Sequence, residues 1–355
     1  MNYKETLLFV AKCLTITHER DNRKMIEEKI KANTVDWDAV VKVSTAHYVF
    51  PALYCNLNRA NFLHYLPTNL VEYMQHITNL NRERNKSIIT EAKEINKLLV
   101  SNNITPIFLK GTGNLLEGLY QDIAERMVGD IDFLVKPELF NLTVNILKEN
   151  GYKEKTSNYI DNTVLNRHYP KITKEGKIAA VEVHYKMITN EKGFDYNFIK
   201  NSLKRLTNNT NVLSYENQVL LTSFNKQIND KGQWFKSIAL RNSYDIYMLS
   251  KKASIKTVLN NFYHPESDHL KNFLATTSYI LNSPQSLEYT KTHKTKRYIN
   301  KVLFFMNNPK KSADNKKKWE LYFLYKHRFS VILKSFYLKK YRKYLFDIFF
   351  NQPKL

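Results

Sequence analysis

Residues 107 to 135, IFLKGTGNLLEGLYQDIAERMVGDIDFLV, constrain the fold of this chain more than any other stretch. They open with an apolar run, Ile107 to Leu109, which predicts a buried strand. Lys110-Gly111-Thr112-Gly113 follows, where the backbone must turn tightly. Leu115, Leu116 and Leu119 then recur at helical spacing. The stretch closes on Gly129-Asp130-Ile131-Asp132-Phe133-Leu134-Val135. Alternate residues of a strand share a face, so Asp130 and Asp132 project from one side and Ile131 and Phe133 from the other. Two carboxylates held side by side resist ionising together unless a cation lies between them. Hard divalent cations such as Mg²⁺ take oxygen ligands, commonly one or two carboxylates plus substrate phosphates. A third acid enters with Val181-Glu182-Val183-His184-Tyr185, whose alternation places Glu182 and His184 on one face. An isolated Asp-x-Asp is more often a solvated strand face than a metal site. The Lys-Gly-Thr turn before it and the third acid after it move the reading toward two-metal phosphoryl chemistry.

These residues resemble the DNA polymerase β-like nucleotidyltransferases, in which a Gly-Ser turn and a spacer precede Asp-hydrophobic-Asp, with a third acid on a later strand. More narrowly, the chain resembles a bacterial family of uncharacterised nucleotidyltransferases. The resemblance rests on Leu109-Lys110-Gly111, Tyr120, Arg126, Gly129 to Asp132, and Val181 to Tyr185. It extends upstream to Val35-Asp36-Trp37-Asp38 and downstream to about Asp245-Ile246, roughly two thirds of the chain. Thr112 stands where the wider superfamily has Ser, and the spacer from Thr112 to Asp130 is longer than usual.

The resemblance implies an Mg²⁺- or Mn²⁺-dependent transfer of a nucleotide from a nucleoside triphosphate, with release of pyrophosphate. Asp130 and Asp132 are expected to ligate both metals, and Glu182 the metal that activates the nucleophile. Gly111 would let backbone N–H groups approach the triphosphate, and Thr112 would add a hydroxyl donor. Lys110 is expected to neutralise phosphate charge, with a snorkelling surface lysine as its rival reading. Arg126 either clamps triphosphate oxygens or pairs with the carboxylates to hold the loop. His184 is either a structural strand histidine or a group that orients a metal ligand or moves a proton. Tyr120 and Tyr185 are expected to pack, and Asp245 to orient a helix by hydrogen bonding.

The remainder of the chain predicts an α+β fold: a small mixed sheet flanked by N- and C-terminal helical regions. Residues 1–102 predict helices. Asp36 is an N-cap ahead of Trp37, Val40 and Val41, Pro51 opens a short helix, and a long helix follows Pro67 to about Val100. A catalytic core is expected over 103–190, with strand 105–109, helix 113–120, strand 130–135, helix 137–150 and an alternating segment 152–187 that turns at Lys174-Glu175-Gly176-Lys177. Residues 191–285 predict a return to helix, with Ser214 as a cap, and 286–355 a basic, aromatic-rich helical tail.

The net charge of +22 predicts attraction to polyanions. Residues 286–355 hold 18 Lys or Arg against 4 Asp or Glu, interleaved with aromatics as in Lys339-Lys340-Tyr341-Arg342-Lys343-Tyr344. Nucleic acid, an anionic membrane surface and a Lys-rich genomic background each explain such a surplus. The two cysteines, Cys13 and Cys55, make no metal or disulfide framework. No apolar run approaches the length of a membrane span, and the first residues lack a secretory pattern, so a cytoplasmic location is expected. The leading functional expectation is nucleotidyl transfer to an acceptor hydroxyl, with RNA such as a tRNA end favoured by the basic tail. The alternatives are transfer to a small molecule or protein, or a nucleotide-binding module without turnover.

Overall fold

The structure is a computed structural model that describes residues 1–154, 167–189, 193–262, 267–289 and 291–350. Four helices begin the chain: α1 (Tyr3–Cys13), α2 (Arg20–Lys31), α3 (Trp37–Ala46) and α4 (Phe50–Arg59). Asp36 caps α3 as expected, its carboxylate accepting from the Ala39 N–H at 3.0 Å. The 34-residue α5 (Thr68–Ser101) then crosses the molecule. Its buried face carries Met74, Ile88, Ala92, Ile95 and Leu99, as the helical spacing predicts. Asn81 and Asn85 interrupt that apolar stripe and are themselves buried.

Among the described residues, seven strands form one mixed sheet in the order β3-β4-β5-β2-β1-β7-β6. They are β1 (Ile107–Phe108), β2 (Asp130–Leu134), β3 (Lys153–Glu154), β4 (Ile172–Thr173), β5 (Ala180–His184), β6 (Leu203–Arg205) and β7 (Asn211–Leu213). The central pair, β2 and β5, is parallel, whereas β1 runs antiparallel to β2 and parallel to β7. Ile131, Phe133, Val181 and Val183 are fully buried on the apolar side of that pair. Burying this row in the core leaves the other side of both strands to the acids. Helices α6 (Lys110–Leu116) and α7 (Phe140–Glu149) pack near these strands, α6 starting three residues earlier than the leucine spacing predicts. The expected turn at 174–177 joins β4 to β5, with Gly176 at φ +73°. Of the alternating segment expected over 152–187, residues 155–166 lie outside the described residues.

The segment after residue 190 departs from expectation, because it contains β6 and β7 as well as helices. Each is only three residues long and mixes apolar residues with Lys, Arg or Asn, so neither shows a period-two pattern. Asn208 and Asn209, at φ +59° and +56°, turn the chain between them. The short α8 (Tyr196–Ile199) precedes β6. After β7, Ser214 caps α9 (Tyr215–Phe224) as expected. Helices α10 (Gly232–Phe235), α11 (Leu240–Ser250), α12 (Ile255–Asn261) and α13 (Ser267–Ile280) complete the second helical layer. Helices α14 (His293–Asn307), α15 (Pro309–Ser335) and α16 (Lys339–Phe350) form the basic tail. Cys13 and Cys55 are both buried and unbridged. No helix among the described residues is long and apolar enough to cross a membrane.

Candidate active site

Parallel pairing of β2 with β5 sets Asp132 directly beside Glu182, and Leu134 beside His184. The alternation of each strand then turns Asp130, Asp132, Glu182 and His184 to one face. One oxygen each of Asp132 and Glu182 and one ring nitrogen of His184 lie within 4.8 Å of one another. All three side chains are buried, with residue exposures of 7 %, 6 % and 0 %. His184 Nε2 is 2.9 Å from Asp132 Oδ1 and 3.3 Å from Glu182 Oε2. Its Nδ1 lies 3.3 Å from the Lys186 carbonyl, and in the metal-free cluster its Nε2–H donates to the Asp132 carboxylate.

Lysines complete the cluster. Lys110 follows β1 at φ +52°, a backbone region that side chains other than glycine seldom adopt. That turn sends its ammonium back across β2, to 2.6 Å from Asp132 Oδ1 and 3.8 Å from Glu182 Oε2. Lys171 donates to Asp130 Oδ2 at 2.7 Å and lies 3.4 Å from Glu182 Oε1. Three carboxylates thus face two ammonium groups, and the cluster stays negative when His184 is neutral. Burial would push the Asp132 carboxyl up, but the Lys110 ammonium and His184 overcome it and hold the group well below the usual carboxylate range. Glu182 is lowered in the same way, His184 and Lys110 outweighing burial and the charge of Asp132. His168 adds its Nε2 at 3.9 Å from Glu182, with its ring 4.9 Å from that of His184. Burial keeps this imidazole below the ordinary histidine range, although Glu182 pulls the other way.

The donors fit a divalent cation. Two buried carboxylates supply hard oxygen ligands, and the imidazole can serve a softer ion. Asp130 stands apart from this compact trio, half-exposed and tied to Lys171, so the three expected acids are neighbours but not equivalent.

The remaining expected residues take other positions. Gly111 is buried in the first turn of α6, where a Cβ would meet Val128 Cγ2 at 2.8 Å. Thr112, expected to offer its hydroxyl to phosphate, instead donates it to the Asp130 carbonyl at 2.9 Å and is 1 % exposed. It therefore pins α6 to β2. Arg126 pairs neither with Asp130 nor with Asp132. It is buried, and its Nε donates to both oxygens of Asp245 at 2.9 and 3.0 Å, with Nη1 donating to the Met127 carbonyl. Asp245, on α11, also accepts from the Tyr120 hydroxyl at 2.6 Å, which makes it the helix-orienting partner expected of it. The reason is burial: a desolvated guanidinium needs a fixed carboxylate, and Asp245 reaches it from the second helical layer.

Sequence reasoning missed Lys171 and His168. Both sit on the segment 167–173 that pairs antiparallel with β5, with His168 bridged to His184. The basic and aromatic run Arg167-His168-Tyr169-Pro170-Lys171 is visible in the sequence, but its register against β5 is not.

Comparison with known proteins gives one match. No curated protein and no solved structure matches the chain. A family model described as uncharacterised nucleotidyltransferase matches residues 33–261, from just ahead of the α3 cap to the last residue of α12. That span encloses the sheet, both lysines, all three acids and the Arg126–Asp245 pair, and over it the chain belongs to this nucleotidyltransferase family.

Proposed function

We propose that the chain moves a nucleoside monophosphate from a nucleoside triphosphate to an acceptor hydroxyl, on a core of the DNA polymerase β-like kind. The observation that carries the reading is the register of Asp132 against Glu182, which makes one buried pair of carboxylates out of two strands. A bound Mg²⁺ or Mn²⁺ would supply Lewis-acid chemistry and positive charge to the transferring phosphoryl group. Asp132 and Glu182 would hold it, and Asp130 would join Asp132 at a second ion. Lys110 and His184 hold Asp132 and Glu182 ionised in the free protein, while Lys171 pairs with Asp130 and Glu182. With a cation held by the acids, Lys110 and Lys171 would be available to phosphate oxygens. Arg126, Tyr120 and Asp245 hold the loop between α6 and β2, so they set the angle at which α6 meets the acids. RNA is the acceptor this reading favours, on the excess of positive charge.

The test is incubation of the full chain with each labelled nucleoside triphosphate, Mg²⁺ or Mn²⁺, and total RNA or a cell extract, followed by fractionation of the label. Label in RNA, abolished by Asp132→Asn, is the expected result. Label confined to a small-molecule or protein fraction would reject the acceptor and keep the chemistry. No transfer to any fraction, with no metal-dependent nucleotide binding, would reject the chemistry.

A further inference from the structure

Three adjoining hollows, of about 470, 430 and 340 Å³, run along α14 and α15 where they approach α10. The first is lined by Lys296, Arg297, Lys301 and Phe304. The second shares Lys301 and Phe304 and adds Lys236, Trp234, Lys318 and Trp319. The third shares Trp234, Lys318 and Trp319 and continues to Phe323 and Lys326. Shared walls make them one groove, and among the described residues no carboxylate lines any of its three parts.

Asp230, outside the lining, offsets Lys231 in part, but cations predominate along the groove. Burial pushes the Lys236 ammonium down to about 8, and Lys301 beside it adds repulsion. At the far end Lys231 lies 4.7 Å over the Phe323 ring, lowered by burial and by its neighbours Arg167 and Lys326. Like charges gathered at half-buried positions cost stability unless an anion joins them. Between the lysines stand ring systems in mutual contact. Trp234 is 6.3 Å from Trp319 and 5.1 Å from Phe323, and Asn315 donates to the Trp234 carbonyl, fixing α10 against α15. Cations alternating with fixed ring faces match a phosphate backbone carrying unstacked bases. A duplex hides its base faces, and an acidic peptide makes no use of rings.

We propose that this groove binds a single-stranded polynucleotide, its bases against Trp234, Trp319 and Phe323 and its phosphates on Lys236, Lys301, Lys318 and Lys326. The strand is led from the groove toward the acids. Lys231 lies within electrostatic reach of Arg167, which neighbours His168, and His168 is 3.9 Å from Glu182. That the bound strand is also the acceptor rests on the nucleotidyl-transfer reading; that the groove binds it does not.

The experiment measures anisotropy of labelled RNA and DNA single strands of about 20 nucleotides on the full chain, without nucleotide or metal, across a salt series. The expected result is tight binding at low salt that weakens linearly on a logarithmic salt axis. Lys301→Gln with Lys318→Gln and Lys326→Gln should weaken it at least about ten-fold and flatten the slope by about 0.7 for each phosphate no longer neutralised. Trp319→Leu should weaken binding with the slope unchanged. A control with the exposed Lys24, Lys93 and Lys97 changed to Gln should stay within about two-fold of wild type. The proposal is overturned if neither single strand binds, if duplex binds as tightly, or if the control weakens binding as much as the groove variant does. Capture by anionic vesicles in place of either strand overturns it too. Asp132→Asn should bind the strand like wild type. If it does and transfer is absent even in wild type, the groove survives and the transferase reading fails alone.

Discussion

At the scale of single residues, the acids and lysines form one connected cluster of ion pairs. Lys171 occupies the place between Asp130 and Glu182 that a second divalent ion would claim. Lys171→Gln should therefore raise the affinity for Mn²⁺ several-fold in a calorimetric titration, and lower the melting temperature of the metal-free protein. Unchanged or weaker Mn²⁺ binding would show that the lysine does not compete for the site. Asp132→Asn makes the opposite change, because it removes a ligand and leaves Lys110 without its closest partner. It should abolish transfer. It should also erase the rise in melting temperature that metal plus a non-hydrolysable nucleotide is expected to give the wild type through binding linkage. On the proposed reading, Glu182→Gln should cut turnover by orders of magnitude with a smaller loss of nucleotide binding, since Asp132 would remain to hold the metal on the triphosphate.

Elements bring these residues together, and two polar contacts between elements can be tested. Asn85 on α5 donates to the carbonyls of Ile123 and Arg126 at 2.5 and 2.7 Å, and Asn81 reaches Ala124 and Arg126. The same loop is held by Arg82–Asp122 and Arg59–Glu125, both at 2.7 Å. Asn85→Leu keeps bulk but strands the Ile123 carbonyl, so it should cost about 2 kcal/mol in chemical denaturation. A loss below a few tenths would mean that the loop is held without it. The second contact is His47, which closes α3 onto α11. Its Nδ1 accepts from the Leu240 N–H and its Nε2 meets the Tyr3 hydroxyl, both contacts suited to the neutral ring. Burial, helped by the nearby Lys226, pushes this imidazole down to about 4. The unfolded chain therefore takes up a proton near pH 6.5 that the folded chain refuses until about 4. Stability should fall with pH across that window and level off below it. His47→Gln should remove this part of the slope while leaving the carboxylate-driven part near pH 4 and below.

The whole molecule carries a net charge of +22, and its cations are not evenly shared. Lys226, Lys231 and Lys236 are all lowered by burial and by neighbouring cations, with Asp230 offsetting part of the effect at the first two. Self-repulsion of this kind is screened by salt. Raising sodium chloride from about 20 to about 300 mM should therefore lift the melting temperature by a few degrees. A falling melting temperature would mean that the surface ion pairs outweigh the repulsion. The tail repeats the theme. Of the 27 residues of α15 only Val331 is buried, while Tyr325, Phe329 and Phe336 just beyond it are among the most exposed apolar side chains.

What the sequence determined by itself is local. The face shared by Asp130 and Asp132, the caps Asp36 and Ser214, and the long helix after Pro67 depend on residues within a turn or two of one another. Strand alternation, side-chain capping and helical period act at that range. Tertiary structure decided the rest. Asp132 meets Glu182 fifty positions along the chain only because the apolar rows Ile131–Phe133 and Val181–Val183 bury together in one parallel register. Shifting that register by one residue would send Glu182 into the core. Arg126 chose Asp245 over the nearer acids because both are buried where the loop meets α11, and a desolvated charge takes the partner that packing supplies. Lys171, His168, β6, β7 and the Trp234–Trp319 groove belong with it. Each depends on which segments pack against one another, and such a contact leaves no periodic trace in the chain that makes it.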